Sequence, residues 1–522
     1  VERISIIEDM APQNTGSLLD TDTLSVWAKS PQNPASTGYT GKGVKIVVLD
    51  TGIDYTHADL GGPGTKEAYE KAKASDTIPE GTYDPKKFLG GYDLVGDDYN
   101  SAKKETSTPH PDANPLDCGG HGSHVAGTAA GYGVNADGST FRGDYSKLTE
   151  EQLKDMKIGP GSAPEAQLIG LRIFGCKGTT AFVPLGLDRV LDPNDDGDFS
   201  DRADIANLSL GNEFGVFDET VNYAVGSLYR EGILSVVAAG NANNYNAVGD
   251  TYSNSGGPGT SAYSLTVANS IGSTQMADRV KILAPANEAD TYGDYSVSFN
   301  YAKATEEQLR GTVVRAASRN RYACEAFTEE EAAALKGKWA LIDWAEADGT
   351  APCGSRVRFD NLQAAGATGV VIASDTEVGD TAIGGNSAIP GVRLAKSQVE
   401  RLSSQIDSGN LTLQLGENLR ESIRVQNGKL DQANTSTARG MHGSHGITKP
   451  DVAAPGTNIS SILVGGGTEA TVKTGTSMST PFVAGVAALI MQAHPEYGPR
   501  MIKTAIMNTA DHRMQDAWGN PY

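Results

Sequence analysis

The chain has 522 residues, of which 38% are hydrophobic and 20% charged, and its formal net charge is −21. That length exceeds one ordinary core and predicts two or more domains, or one large domain with an insert. The negative charge repels phosphate backbones, which argues against nucleic acid as a partner. No apolar run approaches the ~20 residues that span a bilayer, so no membrane segment is predicted in this chain.

Short β-branched runs that end in polar or glycine residues predict strands of a parallel sheet buried on both faces. Helical spacing of apolar residues between or after these runs, at 216–231 and 477–492, completes an α/β layered fold. Active sites in such sheets lie beyond the carboxyl ends of the strands. The predicted strands are 45–49, 168–174, 205–210, 233–238 and 264–267.

The pattern changes between about 282 and 429, where short strands alternate with helical stretches over a normal domain length. We predict a separate domain inserted into the first. The expected divisions are 1–19 as an N-terminal segment, with the tail of a propeptide as one interpretation, 20–283 and 431–522 as the two parts of the main domain, and 284–430 as the insert.

The first motif with chemical content is Val-Val-Leu-Asp-Thr-Gly-Ile-Asp at 47–54. A carboxylate at the end of a buried strand is costly to desolvate unless another group pairs with it. Asp50 is therefore predicted to have a dedicated partner. The alternative is a turn aspartate before Thr51 and Gly52.

The second motif is Gly-Gly-His-Gly-Ser-His-Val-Ala-Gly-Thr at 119–128. Glycines precede His121 at the predicted start of a helix, and small residues allow that helix to pack closely. His121 and His124 are three residues apart and can share a helix face. Zinc ligation is an alternative, but the pair lacks the glutamate and spacing of the zinc-protease motif. Two ordinary histidines are the other alternative.

The third motif is Gly-Thr-Ser-Met-Ser-Thr-Pro at 475–481, followed by an apolar helix. A serine hydroxyl becomes a good nucleophile when a neighbouring base takes its proton. At a helix N-terminus, Ser477 would lie beside backbone N–H groups that favour a developing oxyanion. The alternative is a simple N-cap serine.

Together the motifs supply a carboxylate, a base and a nucleophile in the order Asp, His, Ser, which is the order in subtilisin. The three segments resemble the active-site signatures of the subtilisin-like serine proteases over roughly 20–285 and 435–510. Ser123 departs from the threonine frequent there, and Ser479-Thr480 from Ala-Ser. The resemblance implies a three-layer α/β sandwich with a mainly parallel sheet, and a secreted serine endopeptidase.

Residue roles follow from the same resemblance. Ser477 is expected to attack the peptide carbonyl, His121 to act as base and then acid, and Asp50 to orient and stabilise the imidazolium. Asn241 matches the oxyanion asparagine and would act with the Ser477 backbone N–H, whereas His124 matches a non-catalytic histidine. The chemistry requires no cofactor. The expected partners are protein or peptide substrates and the chain's own propeptide.

Two other functional classes would require different residues. A binding or adhesive protein that kept the fold would show a substituted triad or oxyanion residue, and none is substituted. A zinc hydrolase using the paired histidines fails on ligand spacing.

Segments flanking the substrate are also implied by the resemblance. An extended peptide between two strands would gain backbone hydrogen bonds by strand addition. A pocket floored by glycines is expected to accept large apolar side chains. The residues are Ser209, Leu210 and Gly211 on one strand, Gly178, Thr179 and Thr180 on the other, and Gly256 and Gly257 at the pocket floor.

The insert resembles the protease-associated domain of large subtilases, by its segments 338–343, 361–372 and 389–392. Such domains are credited with substrate restriction or protein contacts, and a passive spacer is the alternative. The four cysteines allow three pairings. Some heat-stable relatives have a bridge at the first two positions, so we expect Cys118–Cys176 and Cys324–Cys353, which favours secretion.

An acidic stretch just before the third predicted strand resembles a calcium loop, with oxygen ligands at alternate positions and glycine at the sixth. Ala203 stands where the bidentate glutamate is usual, and an acidic loop held by Asx turns is the alternative. Asp59 matches a family calcium carboxylate, but the loop completing that site is not recognisable, so no site is predicted there. The candidate ligands for a structural calcium are Asp192, Asn194, Asp196, Asp198, Asp201 and Asp204.

Overall fold

The structure is a computed structural model that describes residues 6–7, 15–28, 38–212, 219–242, 257–344, 353–375, 383–420, 423–426, 430–439 and 448–516. The chain divides into two compact units. The inserted unit comprises Val1–Met10 and Thr274–Gly428, and the main unit comprises Ala11–Ser273 and Lys429–Tyr522.

Strands and helices alternate through the described part of the chain. The strands are β1 (Ile6–Ile7), β2 (Lys45–Asp50), β3 (Phe88–Asp93), β4 (Gln167–Arg172), β5 (Ile205–Leu208), β6 (Leu234–Ala238), β7 (Leu265–Ser270), β8 (Thr274–Ala284), β9 (Thr291–Tyr295), β10 (Arg310–Arg315), β11 (Trp339–Asp343), β12 (Gly369–Ala373), β13 (Gly391–Leu394), β14 (Thr412–Gln414), β15 (Ile423–Gln426), β16 (Val452–Pro455), β17 (Ile459–Ile462) and β18 (Ala470–Lys473). The helices are α1 (Thr15–Asp20), α2 (Thr23–Trp27), α3 (Lys66–Lys73), α4 (His121–Ala130), α5 (Glu150–Lys154), α6 (Val183–Asp188), α7 (Thr220–Arg230), α8 (Glu329–Leu335), α9 (Ser355–Ala364), α10 (Lys396–Asp407), α11 (Thr476–Ala493) and α12 (Pro499–Thr509).

The main unit is built on a seven-stranded sheet in the order β16-β7-β6-β5-β2-β4-β3. Every adjacent pair in it is parallel. All five runs predicted as strands are found in this sheet, and each differs from its predicted bounds by a few residues. The α/β fold with a parallel sheet is therefore confirmed.

Helices cover both faces of this sheet, because successive side chains on a strand point to opposite sides. On β2, Ile46 and Val48 belong to one hydrophobic core together with residues of α4, α11 and α12. Val47 and Leu49 belong to another core, shared with residues of α6 and α7. The result is the three-layer sandwich that the resemblance implied.

Helix α11 lies in the first of these cores and is buried along most of its length. Its small residues allow close packing: a Cβ added at Gly485 would lie 1.9 Å from Ser162 Oγ. By length and composition alone this helix could cross a membrane, but 67% of it is buried inside the protein. We therefore interpret α11 as the core helix that carries Ser477.

The inserted unit contains a sheet whose strands pair in a ring. The long strand β8 pairs with both β9 and β14, and the pairings run from β14 through β10, β11, β12 and β13 back to β9. Trp339 and Leu341 face one hydrophobic core, and Ala340 and Ile342 face a second. The second stretch of this unit begins at Thr274, ten residues before the expected division at 284, because the whole of β8 pairs within the unit. Val1–Met10, expected as part of a separate N-terminal segment, also belongs to this unit, since β1 pairs with β15.

Candidate active site

The candidate residues lie at one edge of the main sheet. Asp50 is the last residue of β2, and Ser209 and Asn241 follow the ends of the neighbouring strands β5 and β6. His121 begins α4, and Ser477 is the second residue of α11. Because parallel strands end at the same edge, these five positions share the side of the sheet where sites form in such folds.

Asp50 and His121 are in direct contact. Nδ1 of His121 lies 2.8 Å from Oδ1 and 2.9 Å from Oδ2 of Asp50. The Asp50 side chain is only 2% exposed, whereas that of His121 is 34% exposed and accessible to a substrate. Burial lowers the pKa of His121, but the charge of Asp50 and its hydrogen bond outweigh burial, so the pKa is raised above that of an ordinary histidine.

A second buried carboxylate, Asp117, holds the start of the histidine helix. Its Oδ1 accepts hydrogen bonds from the N–H groups of Gly119 and Gly120, at 2.7 and 2.9 Å. Its Oδ2 accepts from the N–H and hydroxyl of Ser123, at 2.9 and 2.7 Å. The sequence interpretation did not single out Asp117, although an aspartate just before a glycine-rich helix start is a capping signal.

Both predicted disulfides are present in the structure. The Cys118–Cys176 bridge joins the segment between Asp117 and His121 to the segment that follows β4. It therefore braces the entry to α4 in addition to the hydrogen bonds of Asp117.

Ser477 is joined to the segment that directly follows β5. Its Oγ donates to the carbonyl oxygen of Ser209 at 3.1 Å, and Ser209 Oγ donates to the carbonyl oxygen of Ser477 at 2.9 Å. The hydroxyl thus bonds Ser209 rather than His121 in this structure. Nucleophile–base hydrogen bonds are often long or poorly aligned without substrate and tighten when substrate binds.

Asn241 is held by the same helix N-terminus. Its Oδ1 accepts from the N–H of Thr476 at 2.9 Å and from the Thr476 hydroxyl at 3.2 Å. Both bonds use the amide oxygen, so the Nδ2 donor is directed elsewhere. The residue is exposed. Thr476 is a positioning residue that the sequence interpretation missed, since nothing in the local pattern indicates its partner.

His124 has a structural environment. It is fully buried, and its Nε2 lies 2.9 Å from the carbonyl oxygen of Ile459. Burial lowers its pKa to about 3, so the ring is neutral. Among the described residues, the one cluster with metal-ligand geometry is Asp97 with Cys118 and Cys176, whose sulfurs form the disulfide. His121 Nδ1 bonds Asp50 and His124 Nε2 bonds the Ile459 carbonyl, so the two rings have separate partners.

The predicted substrate-flanking segments are both described. The Thr179 carbonyl oxygen accepts from the Ser101 N–H at 3.0 Å, so this carbonyl already has a partner within the chain. On the other segment, Ser209 is buried while Leu210 and Gly211 are progressively more exposed.

The expected pocket floor is only partly described. Gly256 lies outside the described residues, whereas Gly257 is buried and its carbonyl oxygen accepts from the Asn212 N–H at 2.9 Å. A carboxylate that the sequence interpretation missed lies against Gly257. A Cβ added there would be 1.9 Å from Oε2 and 3.0 Å from Cδ of Glu219.

The acidic loop at 192–201 is held by its own side chains. The two carboxylate oxygens of Asp192 accept from the N–H groups of Asp196 and Gly197, at 3.1 and 2.9 Å. Asp204 accepts from the Lys45 N–H at 2.8 Å. In this described loop, no three carboxylates bring their oxygens within 4.8 Å of one another.

Comparisons with known proteins agree with this geometry. The model of the Subtilase family matches residues 41–522. The minor extracellular protease Vpr of Bacillus subtilis (strain 168) is 29% identical over 553 residues, which cover 100% of this chain and 56% of that protein. The PI-type proteinase of Lactococcus lactis subsp. cremoris is 26% identical over 511 residues, covering 90% and 24% respectively.

A plant protein, subtilisin-like protease SBT3.9 of Arabidopsis thaliana, is 28% identical over 421 residues, covering 76% of this chain and 47% of its own length. The chain therefore spans about half, or less, of the length of these relatives. Since the family model matches nearly the whole sequence, the chain belongs to the Subtilase family.

Proposed function

We propose that this protein is a serine endopeptidase that cleaves peptide bonds through an acyl-enzyme. The observation that carries the proposal is the buried Asp50 carboxylate 2.8 Å from His121 Nδ1, at the sheet edge where Ser477 begins a helix. A carboxylate that holds a histidine leaves its Nε2 available to a nucleophile, which is the arrangement that activates serine.

The mechanism follows from the groups at this edge. The Ser477 hydroxyl leaves the Ser209 carbonyl, gives its proton to His121 Nε2 and attacks the scissile carbonyl carbon. Asp50 stabilises the imidazolium that forms. The carbonyl oxygen becomes negative and accepts hydrogen bonds from Asn241 Nδ2 and the Ser477 N–H.

Collapse of this tetrahedral species breaks the peptide C–N bond, and His121 protonates the leaving amine. Water then attacks the acyl-enzyme with His121 again as the base, which releases the acid and restores the Ser477 hydroxyl. The Asn241 amide oxygen stays bonded to Thr476 throughout, so its donor needs no reorganisation.

Substrate is proposed to bind as an extended strand between the segment 209–211 and the segment 178–180, through backbone hydrogen bonds. Binding of this kind tolerates many sequences and fits proteins in general, and the chain's own propeptide could occupy the same groove. Secretion is supported by the two disulfides, which persist in oxidising compartments, and by the extracellular protease among the relatives.

The inserted unit is proposed to be a protease-associated domain that restricts which substrates reach the groove, with a passive spacer as the alternative. Support comes from its compactness and from its own cores around Trp339 and Phe359. A unit that buries its own apolar residues can be deleted or exchanged independently, which allows the two alternatives to be separated.

A structural calcium in the acidic loop is also proposed. Oδ1 of Asp201 is buried and has no hydrogen-bond partner in the described structure. Burial, followed by the charges of Asp196 and Asp192, raises the pKa of Asp201, so a cation would relieve this repulsion. Binding would require the loop to close, because its carboxylates are too far apart to share an ion as they stand.

Calcium removal is expected to lower the melting temperature by several degrees, because an ion that binds only the folded state stabilises it. The measurement is calorimetry with calcium and with a chelator. The variant Asp201→Asn should show a smaller difference than wild type, and the exposed Asp155→Asn should not. Equal melting temperatures with and without the ion would contradict the calcium proposal alone.

Labelling with phenylmethylsulfonyl fluoride tests the enzymatic proposal. The reagent should sulfonylate Ser477 stoichiometrically in the folded protein and abolish casein hydrolysis, because only an activated serine attacks it. Mass spectrometry of the modified peptide identifies the site, and the urea-unfolded chain, which lacks the triad geometry, is the control. A protein that kept the fold only for binding would remain unlabelled. A zinc hydrolase would be inhibited by a zinc chelator and not by the sulfonyl fluoride.

A further inference from the structure

A half-buried lysine lies at the end of the strand that leads into the nucleophile helix. We propose that Lys473 determines specificity on the leaving-group side of the cleaved bond. Its ammonium would receive the carboxylate of an aspartate or glutamate at the first or second residue after that bond. This inference rests on the proposed endopeptidase function and names a substrate class for it.

Contacts of the backbone place Lys473 beside the base and next to the nucleophile. It is the last residue of β18 and the cross-strand partner of Ile459 on β17. The Ile459 carbonyl oxygen lies 2.9 Å from His124 Nε2, and His124 is one turn along α4 from His121, on the same face. Four residues beyond Lys473 in the chain, Ser477 lies in the first turn of α11.

The electrostatics of the two histidines agree with this placement. At His121, burial lowers the pKa and Asp50 raises it; the next cause is the positive charge of Lys473, which lowers the pKa, and Asp117 raises it slightly. At His124, burial lowers the pKa to about 3, and the charge of Lys473 is the next cause. Because the interaction between charges falls with distance, a cation that acts on both rings lies close to the first turn of α4.

The Lys473 ammonium has no partner in the described part of the chain, where it makes neither a hydrogen bond nor an ion pair. Other lysines of the main unit are paired: Lys157 with Glu469, just before the same strand, and the buried Lys449 with Asp451. An unpaired cation beside the base opposes the imidazolium that forms during the reaction. A substrate carboxylate that neutralises this cation would therefore stabilise the transition state.

The leaving-group side follows from the proposed mechanism. His121 protonates the amine of the departing peptide, so the residues after the cleaved bond begin at this ring. The residues before the bond are proposed to lie along 209–211 and 178–180, and Lys473 makes no hydrogen bond to either segment. Two residues of extended chain span about 7 Å, which a long lysine side chain can bridge. Lysine offers a compact charge with three donors, so it suits a carboxylate in more than one position.

The test uses internally quenched peptides of one sequence that differ only at the first or second residue after the cleaved bond. That residue is aspartate, asparagine, glutamate, glutamine or lysine, and mass spectrometry of the products confirms the cleaved bond. We expect kcat/KM for the acid to exceed that for its isosteric amide about 3- to 10-fold at one of these positions, since a half-buried pair is screened less than an exposed one. The lysine peptide should be cleaved least, and the ratio of acid to amide should fall as salt is added.

Variants locate the cause of that preference. Lys473→Gln is expected to bring the ratio of acid to amide close to one, and Lys473→Glu to make the lysine peptide the better substrate. The matched control is Lys42→Gln, which removes the same charge at an exposed position of the main unit and should leave the ratio unchanged. Sulfonyl fluoride labelling of Ser477 confirms that each variant is folded before its ratio is measured.

The pH dependence of Lys473→Gln is an independent readout, measured with a nitroanilide substrate that has no residue after the cleaved bond. Lys473 lowers the pKa of His121, so its removal raises that pKa further above 6.5. His121 acts as a base only when neutral, and kcat/KM is lost as the pH falls through its pKa. The acid limb of Lys473→Gln should therefore lie at higher pH than that of the wild-type protein, and the acid limb of Lys42→Gln should not move.

The failures can be told apart. If Ser477 is labelled but acid and amide are cleaved equally at both positions, or if Lys473→Gln leaves their ratio or the acid limb unchanged, this inference is overturned and the endopeptidase proposal stands. The same holds if no peptide of the set is cleaved although Ser477 is labelled and casein is hydrolysed. If Ser477 is not labelled and neither casein nor any peptide is cleaved, the proposed function itself is overturned, and the specificity inference with it.

Discussion

Asp50→Asn is expected to lower kcat about 10⁴-fold while the active site stays folded. The reason is that asparagine cannot balance the charge of the imidazolium. The amide has the size of the carboxylate, but it also offers an N–H toward His121 Nδ1 and so favours the wrong tautomer of the ring. Both Asp50 oxygens lie within 2.9 Å of His121 Nδ1, so the carboxylate of Asp50 is the group that balances the charge of the ring. The measurement is kcat on one peptide substrate under saturating conditions.

The pH profile of Asp50→Asn shows whether activity falls because the charge beside His121 is missing or because the active site is disrupted. His121 must be neutral to act as a base, and its pKa in the wild-type protein is raised above 6.5 because Asp50 outweighs burial. Wild-type kcat/KM should therefore be lost as the pH falls through that raised value. In Asp50→Asn the burial remains and the charge is gone, so the acid limb should move to lower pH.

A conservative change at an exposed site is the control. Asp155 is exposed at the C-terminal end of α5, so Asp155→Asn should keep wild-type kcat and pH dependence. Activity of Asp50→Asn within tenfold of wild type, or an acid limb that stays in place, would contradict the role assigned to Asp50.

Asn241→Ala is expected to lower kcat by about 10²- to 10³-fold and to change KM little. The reason is that Nδ2 would donate to an oxygen that carries negative charge only in the transition state, so its loss leaves substrate binding nearly intact. The two hydrogen bonds from Thr476 to Oδ1 fix the amide orientation, so this donor is preorganised. Steady-state kinetics on a single peptide provide both constants.

Two further measurements show whether the loss of activity comes from the missing amide or from a general disturbance of the fold. Asn410→Ala, at an exposed position in the inserted unit, should have no effect on either constant. Asn241→Ala should still be labelled at Ser477, more slowly than wild type. A loss that appears mainly in KM, or a kcat within tenfold of wild type, would mean that the oxyanion is stabilised by other donors.

Features that depend on neighbours in the chain could be predicted from the sequence. The runs at 45–49 and 233–238 form strands because β-branched residues suit a sheet buried on both faces. The long helix α11 follows from small and apolar residues on all sides. Asp50, His121 and Ser477 were found because each lies in a distinctive local motif, and both disulfides were expected from the family resemblance.

Features that depend on sheet order and packing were decided only by the tertiary structure. Strand β8 was not predicted because Asp278, Arg279 and Lys281 interrupt its apolar pattern, and only its pairing with three other strands makes it part of the insert. Asp117 and Thr476 act through bonds that local patterns do not reveal. Glu219 and Gly257 are 38 positions apart in the chain, and the contact between a carboxylate and a bare backbone arises only when α7 is placed against that segment.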